Sequence, residues 1–325
     1  MKLMQATRSS APAKVILFGE HFVVEGQPAI AAAISLRAHV TVEPADTDGI
    51  LVYSKNLGLL EEYRFAERGA WSGKMLSIAI AAYTAMESLG RKSGVKVTVD
   101  SEIPPGSGMG SSAAVAVATT HATFRAFGEE PDLKEVSRIA FEAEKVVHGK
   151  PSGIDNTVAT YGGVIAYRKG EGFIPLKAEL NGVRLVLADS GVPRNTGEMV
   201  KRVLELKNTY PSVLEPLYHA AGRLVVEAAR RLEEGDYESL GRLMNVNHGF
   251  LSAIGVSTLE LEKLVYTARR AGALGSKLTG AGGGGFIVAL VTAEKEKEVV
   301  EALRQLSPRI FSVEISSEGV RKEPL

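Results

Sequence analysis

Pro104-Pro105-Gly106-Ser107-Gly108-Met109-Gly110-Ser111-Ser112-Ala113-Ala114 follows an alternating run at Val95, Val97 and Val99 and leads directly into an alanine- and valine-rich stretch. The order predicts strand, glycine loop, helix. Glycines let a backbone turn sharply and approach a ligand closely, because no Cβ intervenes. A helix beginning near Ser111 aims its unpaired N–H groups and positive dipole end at whatever the loop holds. The stretch reads as a phosphate cradle, with a glycine-rich surface turn as the alternative. It is not a Walker P-loop, because no Gly-Lys-[Ser/Thr] closes it, and its spacing does not fit a dinucleotide fingerprint.

Composition narrows the classes around that loop. The chain of 325 residues is long enough for two domains, and 45% hydrophobic with 23% charged residues is ordinary for a soluble globular protein. Lys plus Arg and Asp plus Glu both number 38, so no net field attracts nucleic acid or a membrane surface. An anionic ligand must therefore be bound by local design. The absence of Cys excludes disulfides, thiolate metal sites and a Cys nucleophile. No charged-then-apolar leader precedes Ala11-Pro12-Ala13-Lys14, and no apolar run reaches the roughly 18 residues of a membrane span. A cytoplasmic location is expected.

Outward from the loop, Lys14–Phe18 reads as a buried strand ending at Gly19-Glu20-His21, and Ile34 to Val42 alternates as a half-buried strand. Residues 46–74 read as polar and irregular, followed by a helix at about 75–89. Past the loop helix, Pro131-Asp132 with Glu135 predicts a capping box opening a helix to about 148, stopped by Pro151 and Gly153. Val158–Ala166 reads as a returning strand broken by Gly162-Gly163, and the charged segment 168–182 as a boundary. Beyond it come a strand at 183–188, helices within 197–207, 212–233, 236–249 and 257–271, a strand at 286–291, a helix at 293–306 and a strand at 311–315. Strands mixed with packed helices predict an α+β fold rather than a doubly wound sheet.

Several residues carry chemistry, each with a bland alternative. Gly280 to Gly285 contains a second glycine cluster, pinned between Ser276-Lys277-Leu278-Thr279 and an apolar strand, so a tight turn against a ligand or the first loop is favoured over a linker. Glu144 shares a helix face with Ala140 and Val147, so its carboxylate must be paired, neutral or bound to a cation. Asp155 in a glycine-bearing turn is otherwise a capping residue, Lys14 a snorkelling side chain, and Glu20 with His21 a satisfied polar pair.

Taken together and in order, Lys14–His21, Pro104–Ala114 and Lys277–Gly285 resemble the three motifs of the GHMP small-molecule kinases, named for galacto-, homoserine, mevalonate and phosphomevalonate kinases. Further strings, His148–Asn156, Val192–Thr196 and Met244–His248, are most similar to the mevalonate kinases within that family. The resemblance runs from residue 11 to 285. Ala13 departs from the usual glycine by one methyl. Phe22-Val23-Val24 follows His21 where a galactokinase continues Thr-Asp.

The resemblance implies a two-domain GHMP kinase fold, with an N-terminal domain (1–172) like domain 2 of ribosomal protein S5 and a ferredoxin-like C-terminal domain (173–325). It implies phosphorylation of the 5-hydroxyl of mevalonate with ATP as co-substrate and Mg²⁺. Ser101, Pro104, Pro105, Gly106, Ser107, Gly108, Met109, Gly110, Ser111 and Ser112 would bind the nucleotide. Ser112 and Glu144 would hold Mg²⁺, which favours oxygen ligands and retains several waters. Asp155 would accept or orient the hydroxyl proton, with Lys14 beside it to stabilise a developing alkoxide. Glu20, His21, Arg194 and Thr196 would lie on the substrate side, whereas Asn195 and His248 read as structural. No nucleic-acid or membrane partner is expected, and a homodimer is compatible with the family. A catalytically silent sensor on the same fold should have lost part of the set Lys14, Ser112, Glu144 and Asp155; all four are present.

Overall fold

The computed structural model describes residues 4–148, 152–178 and 180–325. Gly149–Pro151, which carry part of the His148–Asn156 string and the helix stop read at Pro151, lie outside the described residues. Contacts divide the chain into two compact units. One comprises residues up to Lys14, Ala33–Gly162 and Ser316–Leu325; the other comprises Val15–Ala32 and Gly163–Ile315.

In the first unit the alternating stretches build a sheet. β1 (Thr7–Phe18) and β2 (Ala29–Pro44) extend well beyond the strands predicted at 14–18 and 34–42. The segment read as irregular instead holds an antiparallel hairpin, β3 (Gly49–Ser54) and β4 (Leu59–Arg64), and a 3-10 turn at Phe65–Ala70. After α1 (Leu76–Ser88) comes β5 (Val95–Ser101), which pairs antiparallel with β2 and parallel with β3. Val40, Val42, Val95 and Val97, all fully buried, line the core face of this β2–β5 ladder.

The glycine loop then opens into α2 (Ser111–Ala126). This helix runs through the core, which its small residues permit: Ala113, Ala114, Ala116, Ala118 and Ala122 are completely buried. α3 (Leu133–His148) packs against α1 and α2. Its predicted capping box is half formed: Asp132 Oδ1 accepts from Lys134 N at 3.1 Å, whereas Glu135 turns outward to Arg138 at 2.6 Å. The strand expected at 158–166 forms only beyond its glycine break, at Val164–Arg168. Ile154–Tyr161 is an eight-residue helix, α4, bracketed by Gly153 and Gly162, both at positive φ.

His121, on α2 and 5% exposed, has Nδ1 2.8 Å from Ser9 Oγ. Burial first, and the nearby Arg125 charge second, push its pKa down to about 4. It is therefore neutral in the fold at pH values where the unfolded chain takes up the proton. Stability fully present above the ordinary histidine value is lost as pH falls from about 6.5 towards 4, by roughly 3 kcal/mol for this group. In urea unfolding at pH 7 and pH 4.5, His121→Gln should show a smaller acid loss than wild type. An identical loss in both proteins would assign the acid limb to other groups.

The second unit contains residues 29–32 of β2 paired with β6 (Val164–Arg168), which pairs in turn with β7 (Gly172–Leu176). Then follow β8 (Val183–Asp189), α5 (Thr196–Thr209), α6 (Pro211–Glu234), α7 (Tyr237–Ala253), α8 (Leu259–Arg270), β9 (Gly275–Leu278), β10 (Phe286–Thr292), α9 (Glu296–Arg304) and β11 (Ile310–Val313). These four last-named strands form an antiparallel sheet in the order β11-β8-β10-β9. With helices only after the first and third of them, this is the ferredoxin-like arrangement expected. Its apolar face buries Val186, Ala188, Ile287, Ala289 and Val291 against Leu261, Leu264 and Val265 of α8 and Val299 and Leu303 of α9.

The chain ends in the first unit on β12 (Arg321–Glu323), antiparallel to β1. Arg37, 6% exposed, pins this terminal segment by donating to Ser10 O at 3.1 Å and Gly319 O at 2.6 Å. Val320 N in turn donates to Thr160 O at 3.1 Å, so the terminus clamps the end of α4, the helix that carries Asp155. Among the described residues no helix is long and apolar enough to cross a membrane.

Candidate active site

In the first unit the loop from Pro104 to Gly110 meets three elements at once. Gly106, Gly108 and Gly110 adopt φ of 69°, 70° and 72°, a left-handed conformation that favours glycine. At Gly110 a Cβ would lie 3.1 Å from Lys14 Cγ and 3.6 Å from Asp155 Oδ2, so a bare backbone is what lets the loop close here. Lys14 N donates to Met109 O at 2.9 Å, fastening β1 to the loop where α2 begins. The Lys14 ammonium lies 3.0 Å from Asp155 Oδ1 and 3.3 Å from Gly108 O. Its side chain is 7% exposed and that of Asp155 38%, so the pair is embedded on the lysine side and open on the carboxylate side. Asp155 occupies the first turn of α4, where the helix dipole favours negative charge.

The second pair sits in the first turn of α2. Ser112 Oγ donates to Glu144 Oε1 at 2.5 Å, and Glu144 is 6% exposed. Asn156 Nδ2 ties α4 to α3 through Ser137 O at 3.2 Å and Ser137 Oγ at 2.9 Å. The helices bearing Asp155 and Glu144 are thus fixed to each other. A hydroxyl and a carboxylate beside a glycine loop form a hard-oxygen donor pair of the kind that suits Mg²⁺, with room in its coordination for water and phosphate oxygens. Ser101, at the end of β5, is held by Asn56, whose side chain accepts from Ser101 N at 2.7 Å and donates to Ser101 O at 2.8 Å. Asn56 escaped the sequence reading because it lies in the β3–β4 turn.

The substrate-side candidates lie in the second unit. Glu20 is 1% exposed, and its carboxylate is taken up by the Lys277 ammonium on Oε1 and by Asn247 Nδ2 on Oε2 at 3.2 Å. His21 has φ 62° and ψ −46°, the only positive φ among the described non-glycine residues. Phe22 N donates to Glu20 O at 2.7 Å, which closes a γ-turn of the rare, strained kind about His21. Such a backbone costs on the order of 1–3 kcal/mol and persists only where its surroundings enforce it. His21 Nε2 is 2.8 Å from Ala281 O; a carbonyl only accepts, so Nε2 carries the proton. Burial lowers the His21 pKa, against the opposing pull of Ala281 and Glu20.

Arg194 lies along the second glycine cluster, where a Cβ at Gly280 would come 2.8 Å from its Nη1. The cluster packs on its own unit as well: a Cβ at Gly282 would meet Val256 O at 2.3 Å. Thr196 is exposed at the start of α5, and Asn195 Oδ1 caps that helix by accepting from Glu198 N at 3.1 Å. His248 bonds Glu262 at 3.2 Å and accepts from Leu278 N at 3.3 Å, as a structural histidine would. Lys277 and Asn247 are the residues the sequence reading did not assign. Both lie inside quoted strings, yet nothing in their spacing identifies Glu20 as their partner.

Comparison with known proteins gives a consistent result. The family described as GHMP kinases N terminal domain matches residues 77–163, and GHMP kinases C terminal matches 226–308. A mevalonate kinase of Aeropyrum pernix is 40% identical, covering 99% of this chain and 99% of its own. That of Thermococcus gammatolerans is 42% identical, covering 97% of this chain and 98% of its own. The crystal structure of L. major mevalonate kinase in complex with R-mevalonate superposes with a TM-score of 0.83 at 33% identity, over 95% of each chain.

Proposed function

The chain belongs to the GHMP kinases, and from that premise we infer that it transfers the γ-phosphate of ATP to the 5-hydroxyl of mevalonate. The observation that carries the chemistry is the Lys14–Asp155 pair lodged against Gly110, where the glycine loop enters α2. The acceptor follows from the curated relatives, which are mevalonate kinases over nearly the whole chain.

In phosphoryl transfer a protein chiefly positions the reactants and offsets developing charge. The loop and the first N–H groups of α2 would receive the β- and γ-phosphates. Ser112 and Glu144 would hold Mg²⁺, which supplies neutralising charge to the phosphate oxygens. Asp155 would accept the hydrogen bond of the 5-hydroxyl, and its proton as that oxygen bonds to the γ-phosphorus and the bond from phosphorus to the β,γ-bridging oxygen breaks, releasing ADP. The Lys14 ammonium would stabilise negative charge on that oxygen from a site already organised before the reaction. Arg194 would meet the mevalonate carboxylate, with His21 and Thr196 beside it; bidentate geometry makes arginine the better partner for a carboxylate. We place this reaction in the cytoplasm. A division near 172/173 agrees with family matches that end at 163 and resume at 226, whereas the compact units assign 15–32 and 163–172 to the second unit and 316–325 to the first.

The test is kcat/KM for mevalonate, phosphomevalonate, galactose and homoserine at saturating MgATP. Mevalonate should be preferred over each other acceptor by at least about tenfold, a difference of 1.4 kcal/mol in transition-state binding. A tenfold preference for phosphomevalonate or galactose would reassign the acceptor within the family.

A further inference from the structure

We propose that Lys277 and Asn247 are positioning residues which, acting through Glu20, hold His21 in its γ-turn and so set the affinity for the acceptor. The proposal rests on the mevalonate kinase reading above. A left-handed γ-turn at a histidine does not form by local preference. Its neighbours in the second unit must impose it.

Upstream, Gly19 N donates to Asn247 Oδ1 at 3.4 Å, while Asn247 Nδ2 reaches Glu20 Oε2 at 3.2 Å, so one amide grips two successive residues. The other carboxylate oxygen receives the ammonium of Lys277, which is fully buried on β9 and also donates to Leu278 O at 2.8 Å. Downstream, Phe22 is fully buried with its ring centroid 4.9 Å from that of Tyr218. His21 is thus fixed on both sides, and its own Nε2 is tied to Ala281 O at 2.8 Å. Both Glu20 oxygens are engaged by protein, which assigns Glu20 to positioning rather than to contact with substrate.

Energetics favour this role over simple stabilisation. A buried ion pair gives back in Coulomb energy about what its desolvation costs, and apolar side chains of the same size are often as stable or better. What a directional, charged anchor adds is a single geometry, here imposed on a residue whose backbone would otherwise relax.

Lys277→Met alone leaves a buried carboxylate without its counter-ion, so the variants to use are the neutral pair Glu20→Gln/Lys277→Met and, separately, Asn247→Ala. In either folded variant, KM for mevalonate should rise tenfold or more with KM for ATP within twofold. The slowly exchanging imidazole Nε2–H resonance of His21 should broaden or vanish. Adding His21→Ala to the neutral pair should cost little more, because residues acting as a unit are non-additive. An unchanged KM for mevalonate, both KM values rising together, or a full His21→Ala effect in the variant background would overturn the proposal. The imidazole resonance needs no substrate. If wild type fails to phosphorylate mevalonate, the functional reading falls, while retention of that resonance in both variants would separately defeat the positioning role.

Discussion

Asp155→Asn is expected to lower kcat for mevalonate phosphorylation by roughly 10²–10⁴-fold, the range contributed by general acid–base groups. The substitution is nearly isosteric, and the turn beneath it is secured by groups it does not touch: Thr157 Oγ1 donates to Gly153 O at 2.7 Å, and Asn156 is tied to Ser137. ATP affinity should stay within twofold, because the loop and α2 are intact. What is lost is the negative charge 3.0 Å from Lys14 and the acceptor for the hydroxyl proton. Lys14→Met should also lower kcat, and the double variant should lose far less than the product of the single losses. A folded Asp155→Asn enzyme with kcat within threefold of wild type would remove Asp155 from the mechanism.

Glu144→Gln is expected to raise the Mg²⁺ concentration for half-maximal activity by roughly 10–100-fold, the scale on which groups of a metal's coordination environment act, and to reduce kcat. The amide oxygen can still accept the Ser112 hydroxyl, which now bonds Glu144 at 2.5 Å, so the α2–α3 packing should survive. The thermal midpoint should therefore move little. Ready unfolding of this variant, with normal Mg²⁺ dependence in the folded fraction, would instead make Glu144 a structural partner in the helix packing.

The elements that escaped the sequence share physical reasons. β4 buries only Tyr63 and leaves its other residues exposed or half-buried, so its pattern looks like a loop; its hairpin partner β3 is fixed by a parallel pairing to β5 that local spacing does not reveal. The alternation of Ile50 and Val52, both fully buried, was the signal available. At 154–161, Thr157, Val158 and Thr160 favour a strand, but a glycine at each end and a buried site against α2 and α3 make a short helix. β9 and β12, with 4 and 3 residues, are too short to show a period.

At the site, the glycine loop was legible because its reading depends on backbone freedom and on the helix that follows. Partnerships were not. Lys14 meets Asp155, and Glu20 meets Lys277 from 257 residues away, only after each strand and helix has taken its place. Sequence gives the donors and acceptors; the fold decides which of them are spent on each other.

The most direct measurement is the proton-coupled ³¹P spectrum of the product formed from mevalonate and MgATP. Transfer to the 5-hydroxyl places phosphorus on an oxygen borne by a CH₂ group. The γ-phosphate signal of ATP should therefore decline as a phosphomonoester triplet grows in equal amount, with an initial rate in Asp155→Asn lower than in wild type by roughly 10²-fold or more. An uncoupled singlet, from inorganic phosphate or from an ester of the tertiary alcohol, or a triplet that grows at the wild-type rate in the variant, would contradict the account.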